Sequence, residues 1–236
     1  YTVVAGDNDS DGISIDANAL SLNGGTIKNT AGNGASLMHA AVADNASYIV
    51  DTTAPTAAPS IVSVTDNNGT TVGAISAGAS TDDETPTVRV SLAGTGVAEG
   101  FVVRLYSGTG TSPQLGSKTL TASDITNGYI EFTTTLSTDG PYTLTARTGD
   151  LALNLSAASA SRSLTVDTTA PTLLSSTPAD NASGVSVSND LTFTFSEPIV
   201  KGTGSVVVKN MSNLTSLSIP ITDSQFTVSG TTLTYN

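Results

Sequence analysis

The chain has 236 residues and a formal net charge of −12, from twenty acidic and eight basic residues. This balance excludes the clustered lysine and arginine that binding to nucleic acid or to anionic lipid requires. The chain contains no cysteine, which excludes disulfides, thiolate metal sites and a cysteine nucleophile. It also contains no run of about 18 apolar residues, the length that a membrane-spanning helix needs.

The composition favours strands and turns over helices. Thr, Ser, Val, Gly, Asn and Asp are frequent, whereas Glu, Lys, Gln and Met are rare, and alternating runs between turn residues are typical of an all-β sandwich. Sixteen of the twenty acids are aspartate, which suits turns and binds Ca²⁺ through hard oxygen. The alternative is that acidic loops keep a repetitive surface soluble.

One seven-residue phrase occurs twice: Val50–Thr56 and Val166–Thr172 both read VDTTAPT. The copies are separated by about the length of one β-sandwich, and such self-similarity indicates a tandem array. We therefore predict immunoglobulin-like sandwiches in a linear array with incomplete terminal modules. The predicted domains are the rear half of a repeat at 1–54, a complete sandwich at 55–168 and the front part of another at 169–236.

The first segment contains strand-like runs at Gly12–Ile15, Ala35–Ala40 and Tyr48–Val50. Tyr1–Val4 shows no basic leader, so we expect the chain to be an internal piece of a longer protein.

The middle segment predicts about seven strands, and its alternation places Val88, Val90 and Leu92 on one face. Tyr142 is either a tyrosine-corner residue or an ordinary core tyrosine. The predicted strands are Ser60–Val64, Pro86–Leu92, Phe101–Tyr106, Lys118–Leu120 at an edge, Tyr129–Leu136, Tyr142–Arg147 and Ala158–Val166. In the last segment they are Leu173–Pro178, Leu191–Phe195, Ser205–Lys209 and Thr231–Asn236.

These phrases resemble bacterial immunoglobulin-like repeats of large RTX-type and biofilm-type surface adhesins. The resemblance rests first on the two VDTTAPT segments, which we call the first joint (Val50–Thr56) and the second joint (Val166–Thr172). It rests also on Ser80–Pro86, Asp139–Leu144 and Gly149–Ser156, where the family often has glycine in place of Leu153. The last segment is similar to a second bacterial Ig-like type through Ser176–Val185 and Phe193–Ile199, and the first to the end of a third. The resemblance implies calcium sites built from joint and loop acids.

A short acidic loop is the strongest motif for a metal. Asp7, Asp9 and Asp11 alternate before Gly12, and the carbonyl of Ile13 offers a further oxygen, as at the start of a helical calcium loop. The distal glutamate of such a loop is missing, since Asn18 stands at that offset. The alternative is an Asp-rich turn.

A second set of candidate ligands lies at the joints and in nearby loops: Asp51, Asp82, Asp83, Asp150 and Asp167. A sandwich could bring the three loop acids to one end. A cation held by two domains would favour one relative orientation and stiffen the joint, whereas bare carboxylates would repel. The alternatives are a solvated turn at Asp82 and Asp83 and an Asx turn at Asp150. Glu197 is either a further ligand or a strand-end charge.

The sequence predicts no enzyme. His39 is the single histidine, and neither a Gly-x-Ser-x-Gly elbow nor a phosphate-binding loop is present. We therefore expect an extracellular stalk segment of a bacterial adhesin, stiffened by calcium. Its partners would be neighbouring repeats, with glycan or protein bound by other domains. The alternatives are a glycan- or protein-binding module, which the absence of tryptophan weakens, and a non-catalytic appendage of a secreted enzyme.

Overall fold

The computed structural model describes residues 2–69, 72–186, 188–210 and 213–236. The chain divides into two compact units, residues 1–168 and 169–236. Nineteen strands and one six-residue helix make up the regular structure of the described residues, so the prediction of an all-β protein is confirmed. None of the described helical structure has the length and apolar character of a membrane span.

The first 54 residues form two small ladders. Their strands are β1 (Asn8–Asp9), β2 (Ile13–Ile15), β3 (Val42–Asn45) and β4 (Val50–Asp51). β1 pairs with β4 and β2 pairs with β3, all antiparallel. The predicted strand at Ala35–Ala40 is wrong, because these residues have no neighbouring strand to complete a ladder. Most side chains of this segment are exposed.

The middle segment is a sandwich of two sheets. Its elements are β5 (Ser60–Asp66), β6 (Gly73–Ala74), β7 (Ser80–Thr81), β8 (Thr87–Ser91), β9 (Val102–Ser107), β10 (Gln114–Thr119), α1 (Ala122–Asn127), β11 (Tyr129–Thr133), β12 (Gly140–Gly149) and β13 (Arg162–Val166). One sheet has the order β10-β9-β12-β13-β7 and the other the order β11-β8-β5-β6. All pairs are antiparallel except the parallel pair of β13 and β7.

One apolar cluster fills the space between these two sheets. Val88 and Val90 of β8 are fully buried and Leu92 is nearly so, which confirms their predicted common face. They join inward residues of the other sheet, including Leu105 and Leu144. Each such side chain contributes about 1.5–3 kcal/mol by leaving water, so this cluster is the main source of the sandwich's stability.

The edge strands β10 and β11 close one side of the sandwich. The Lys118 ammonium donates to the carbonyl of Glu131 and lies 5.6 Å from the centre of the Phe132 ring. Between them α1 begins with a capping box, in which Thr121 and Asp124 satisfy each other's backbone N–H groups, and ends at Gly128 in the left-handed conformation. These contacts cover edges that would otherwise offer unpaired backbone groups.

The second unit has a small core of its own. Its strands are β14 (Leu173–Thr177), β15 (Leu191–Phe195), β16 (Ser205–Asn210), β17 (Thr215–Pro220), β18 (Phe226–Ser229) and β19 (Thr232–Tyr235). A sheet of order β14-β15-β19-β18 accompanies the hairpin of β16 and β17. Ile219 of the hairpin packs with Phe226 and Leu233 of the sheet. The domain bounds 1–54, 55–168 and 169–236 remain a prediction.

Candidate functional sites at the joints

The second joint starts at a cluster of strand ends. β5, β7 and β13 all finish at this end of the middle sandwich, and the Asp167 amide donates to the Thr81 carbonyl. Asp66, Asp82 and Asp167 line one depression of about 240 Å³ together with Ser80 and Thr81. The structure thus brings the predicted residues Asp82 and Asp167 together. It adds Asp66, the last residue of β5.

Two of the acids near this joint already have protein partners. Asp83 is fully buried, and its carboxylate accepts from the Asn67 amide at 3.0 Å and from the Thr85 amide and hydroxyl at 2.7 and 3.1 Å. The buried Asp66 accepts from the Asn68 amide and, at 2.5 Å, from the Thr81 hydroxyl. Both carboxylates therefore tie loops together at this end of the sandwich.

Asp82 is exposed and lies over the turn that follows β5. One of its carboxylate oxygens is 2.6 Å from the position that a Cβ on Gly69 would occupy. Gly69 also has a φ of +69°, a conformation that glycine adopts at little cost. Glycine at 69 therefore suits the turn, and the lack of a side chain there leaves room for this carboxylate.

The first joint lies beside a different loop. Asp51 is exposed, its carboxylate accepts from the Thr53 amide at 2.8 Å, and its carbonyl accepts from the Asn154 side chain at 2.9 Å. The buried carboxylate of Asp150 accepts from both the backbone and the side-chain amide of Asn154. The structure thus brings Asp150 close to Asp51, through Asn154.

Asp150 is therefore not at the same end as Asp82 and Asp83, and that expectation is wrong. β12 begins at Gly140, opposite Val166, and ends at Gly149, opposite Val102. A strand of this length spans about 30 Å. Because Asp167 follows Val166 directly, β12 separates Asp150 from the acids of the second joint.

The predicted acidic loop near the N-terminus folds into local turns. Asp7 accepts from the Val4 amide at 2.7 Å and Asp9 accepts from the Gly12 amide at 2.8 Å. Asp7, Asp9 and Ile13 line a depression of about 300 Å³ with Val3, Asn8 and Val50. Asp11 is exposed and does not line that depression. Three of the four predicted ligands therefore share one surface.

Among the residues that the structure describes, no group of three or more His, Cys, Asp or Glu side chains is arranged to hold a metal ion. A calcium site at either joint would therefore need backbone and hydroxyl oxygens, or a movement of side chains. Glu197 follows β15, and its Oε1 atom is buried without a hydrogen-bond partner in the described part of the chain. The ring nitrogen Nδ1 of His39 lies 2.9 Å from the carbonyl of Ala40.

The comparison with protein families found one match, in the last segment. Residues 167–236 match the family model described as Bacterial Ig-like domain. This part of the chain is similar to bacterial Ig-like domains. The match covers under a third of the chain and starts at the joint aspartate, Asp167.

No curated protein matches the chain. Among solved structures, the FN1–FN3 domains of chicken CNTN1 are similar to 76% of this chain, with 10% identity and a TM-score of 0.29. The chain spans 56% of the length of that structure. These values are too low to support an inference about fold or function, so the fold assignment rests on the strands and cores described above.

Proposed function

We propose that this chain is a structural spacer segment of a bacterial surface or secreted protein and acts outside the cell. The observation that carries the proposal is a match to bacterial Ig-like domains that starts at a joint whose seven residues also precede the middle sandwich. An identical linker before successive β-modules is typical of tandem arrays. Neighbouring repeats of the same protein would be its main partners, and ligands would be bound elsewhere.

Calcium at the joints is the second part of this proposal. Oxygen atoms at both ends of the middle sandwich support it. At one end Asp66, Asp82 and Asp167 line one depression. At the other end the Asp51 carbonyl and the buried Asp150 carboxylate both accept from Asn154. Carboxylate, hydroxyl and carbonyl oxygens are the ligands that Ca²⁺ takes. An ion bound in only one orientation of a joint would stabilise that orientation.

Small-angle X-ray scattering tests the stiffening directly. The full chain would be measured with calcium and with EGTA, beside Asp167→Asn and a control, Asp16→Asn, which alters an exposed acid outside both depressions. We expect calcium to narrow the distribution of particle dimensions in the parent and the control, and less so in Asp167→Asn. Identical curves with and without calcium would refute the stiffening and leave the spacer role intact.

A polar cleft favours a second candidate function, direct binding of a glycan. It has a volume of about 510 Å³ and is lined by Lys118, Asp124, Asn127, Tyr129 and Glu131 among others. Such a mixture of charged, amide and aromatic groups suits a hydroxyl-rich ligand. A glycan array probed with the full chain and with Tyr129→Ala would test it, and binding that Tyr129→Ala abolishes would favour this role.

A further inference from the structure

The loop between β12 and β13 is arranged to present one side-chain amide. Asp150 accepts from the Asn154 backbone amide at 2.9 Å and from the Asn154 Nδ2 group at 3.0 Å. Backbone bonds between Asp150 and Asn154 and between Leu153 and Asp150 close the same turn. The Asn154 side chain is thus held by the buried carboxylate of Asp150 and by its own turn.

The same Nδ2 group donates to the carbonyl of Asp51 at 2.9 Å, across 103 residues of sequence. This hydrogen bond joins the middle sandwich to the linker that precedes it. Since the amide has two hydrogens, one serves the turn and the other serves the joint. Asn154 therefore holds the linker from the side of the following domain.

The first segment holds the same linker from the opposite side. The Oδ1 atom of Asn8 accepts from the Thr52 amide at 3.0 Å and from the Thr53 hydroxyl at 3.2 Å. The Thr52 hydroxyl donates to the Asp7 carbonyl at 2.9 Å. Residues 51–53 are therefore bonded to both of their neighbours.

An equivalent arrangement occurs where the chain leaves the middle sandwich. The Thr168 amide and hydroxyl both donate to Oδ1 of Asp139, at 3.0 and 2.9 Å. Asn8 is the register partner of Asp51, and Asp139 precedes Gly140, the register partner of Val166. Asn8 and Asp139 thus occupy matching positions, each opposite the aspartate of its joint. Each accepts a hydrogen bond from the threonine that follows that aspartate.

We infer that Asn8 and Asn154 form a metal-independent clasp that sets the direction of the first joint. The inference deepens the proposed spacer role and takes its biological meaning from it, but it does not depend on calcium. At the first joint every group of the clasp is neutral apart from Asp150, whose carboxylate orients Asn154. The clasp should therefore persist in chelator and be insensitive to moderate salt.

Pulsed EPR on the full chain in EGTA tests this clasp. The absence of native cysteine allows two labels, introduced by Ala41→Cys and Thr119→Cys at exposed positions of the first segment and the middle sandwich. In Asn154→Ala we expect a larger fraction of molecules in which the joint has left the clasp and the distance between the labels differs from the main distance in the parent. This fraction should rise about fivefold, as the loss of one neutral hydrogen bond predicts. Asn8→Ala should act in the same direction, and the exposed control Asn33→Ala should leave the distances unchanged.

The outcomes separate the clasp from the calcium proposal. Distance distributions of Asn154→Ala and Asn8→Ala that match the parent would overturn the clasp, whatever calcium does. If calcium then still narrows the distribution in every variant, stiffening by metal survives alone. Circular dichroism of each variant, expected to match that of the parent, excludes general unfolding as the cause of a broader distribution.

Discussion

Replacing Asp83 distinguishes a structural carboxylate from a metal ligand. The sequence suggests Asp83 as a calcium ligand, yet in the structure its carboxylate is fully buried and is bonded by Asn67 and Thr85. We predict that Asp83→Ala destabilises the middle sandwich even when no calcium is present. The exposed neighbour Asp82 provides the matched control, because its side chain covers a turn but is not buried.

The expected magnitude follows from the three hydrogen bonds that the carboxylate accepts. A hydrogen bond to a charged group contributes about 1.5–3 kcal/mol, so the sum has an upper range of several kcal/mol. Asn67 and Thr85 are exposed, and water can replace part of what their donors lose. We therefore expect a loss of about 3 kcal/mol in the free energy of unfolding for Asp83→Ala. For Asp82→Ala we expect a change within about 0.5 kcal/mol.

Urea unfolding in EGTA, followed by circular dichroism and by the near-ultraviolet signal of the buried Tyr106, measures both variants. The same measurement with calcium completes the comparison. If Asp83→Ala matches the parent in EGTA and loses stability only relative to the calcium-loaded parent, Asp83 is a metal ligand and the structural reasoning is wrong. Equal losses with and without calcium would support the structural role.

Three further substitutions test local features of the middle sandwich. Hydrogen bonds from Thr121 hold the pKa of Asp124 below its ordinary value. The ionised carboxylate therefore adds to the free energy of unfolding at a pH above its pKa in the unfolded chain. This stabilisation is lost as the pH falls through the lower pKa of the folded protein. Asp124→Ala should therefore cost about 0.5 kcal/mol at neutral pH and nothing in acid, as urea unfolding across pH will show. Tyr142→Phe should cost about 1 kcal/mol by removing the hydroxyl that donates to the Thr138 carbonyl at 3.0 Å; an unchanged unfolding midpoint would contradict this. Leu153 is 54% exposed and has a φ of +68°. Leu153→Gly should therefore raise the free energy of unfolding by about 0.5 kcal/mol. A lower urea midpoint in this variant would show that the Leu153 backbone is not strained.

Sequence pattern predicted the long strands of the middle sandwich because half-buried strands alternate with a period of two. β8 was predicted in this way, and its burial alternates as expected. β6 and β7 have two residues each, too few to show a period, and tertiary pairing decides their existence. The helix α1 was missed although Thr121, Asp124 and Gly128 carry recognisable capping signals.

The candidate sites were predicted less well, and part of the reason lies in strand direction. Asp139 and Asp150 flank one strand, β12, so they must lie at opposite ends of its sheet. Since β13 returns antiparallel to β12, Asp167 has to come back to the end of Asp139. The antiparallel order of β12 and β13 therefore separates Asp150 from Asp167, whereas the position of Asp82 depends on the short strand β7. The hydrogen bond between Asn154 and Asp51 has no such signal, because it depends on the orientation of a linker.

Tyr142 shows how the same strand direction gives the middle sandwich two distinct ends. Its hydroxyl donates to the Thr138 carbonyl in the turn that precedes β12, as in a tyrosine corner, while its side chain packs against the core. This turn lies at the end where Asp167 leaves, since Thr168 bonds to Asp139. β5 starts at Ser60 and ends at Asp66, which shares a depression with Asp167, so its start lies at the opposite end. The chain thus enters the middle sandwich at one end and leaves it at the other. These two ends of the middle sandwich follow from strand topology alone, and neither the calcium nor the clasp that we propose is required for them.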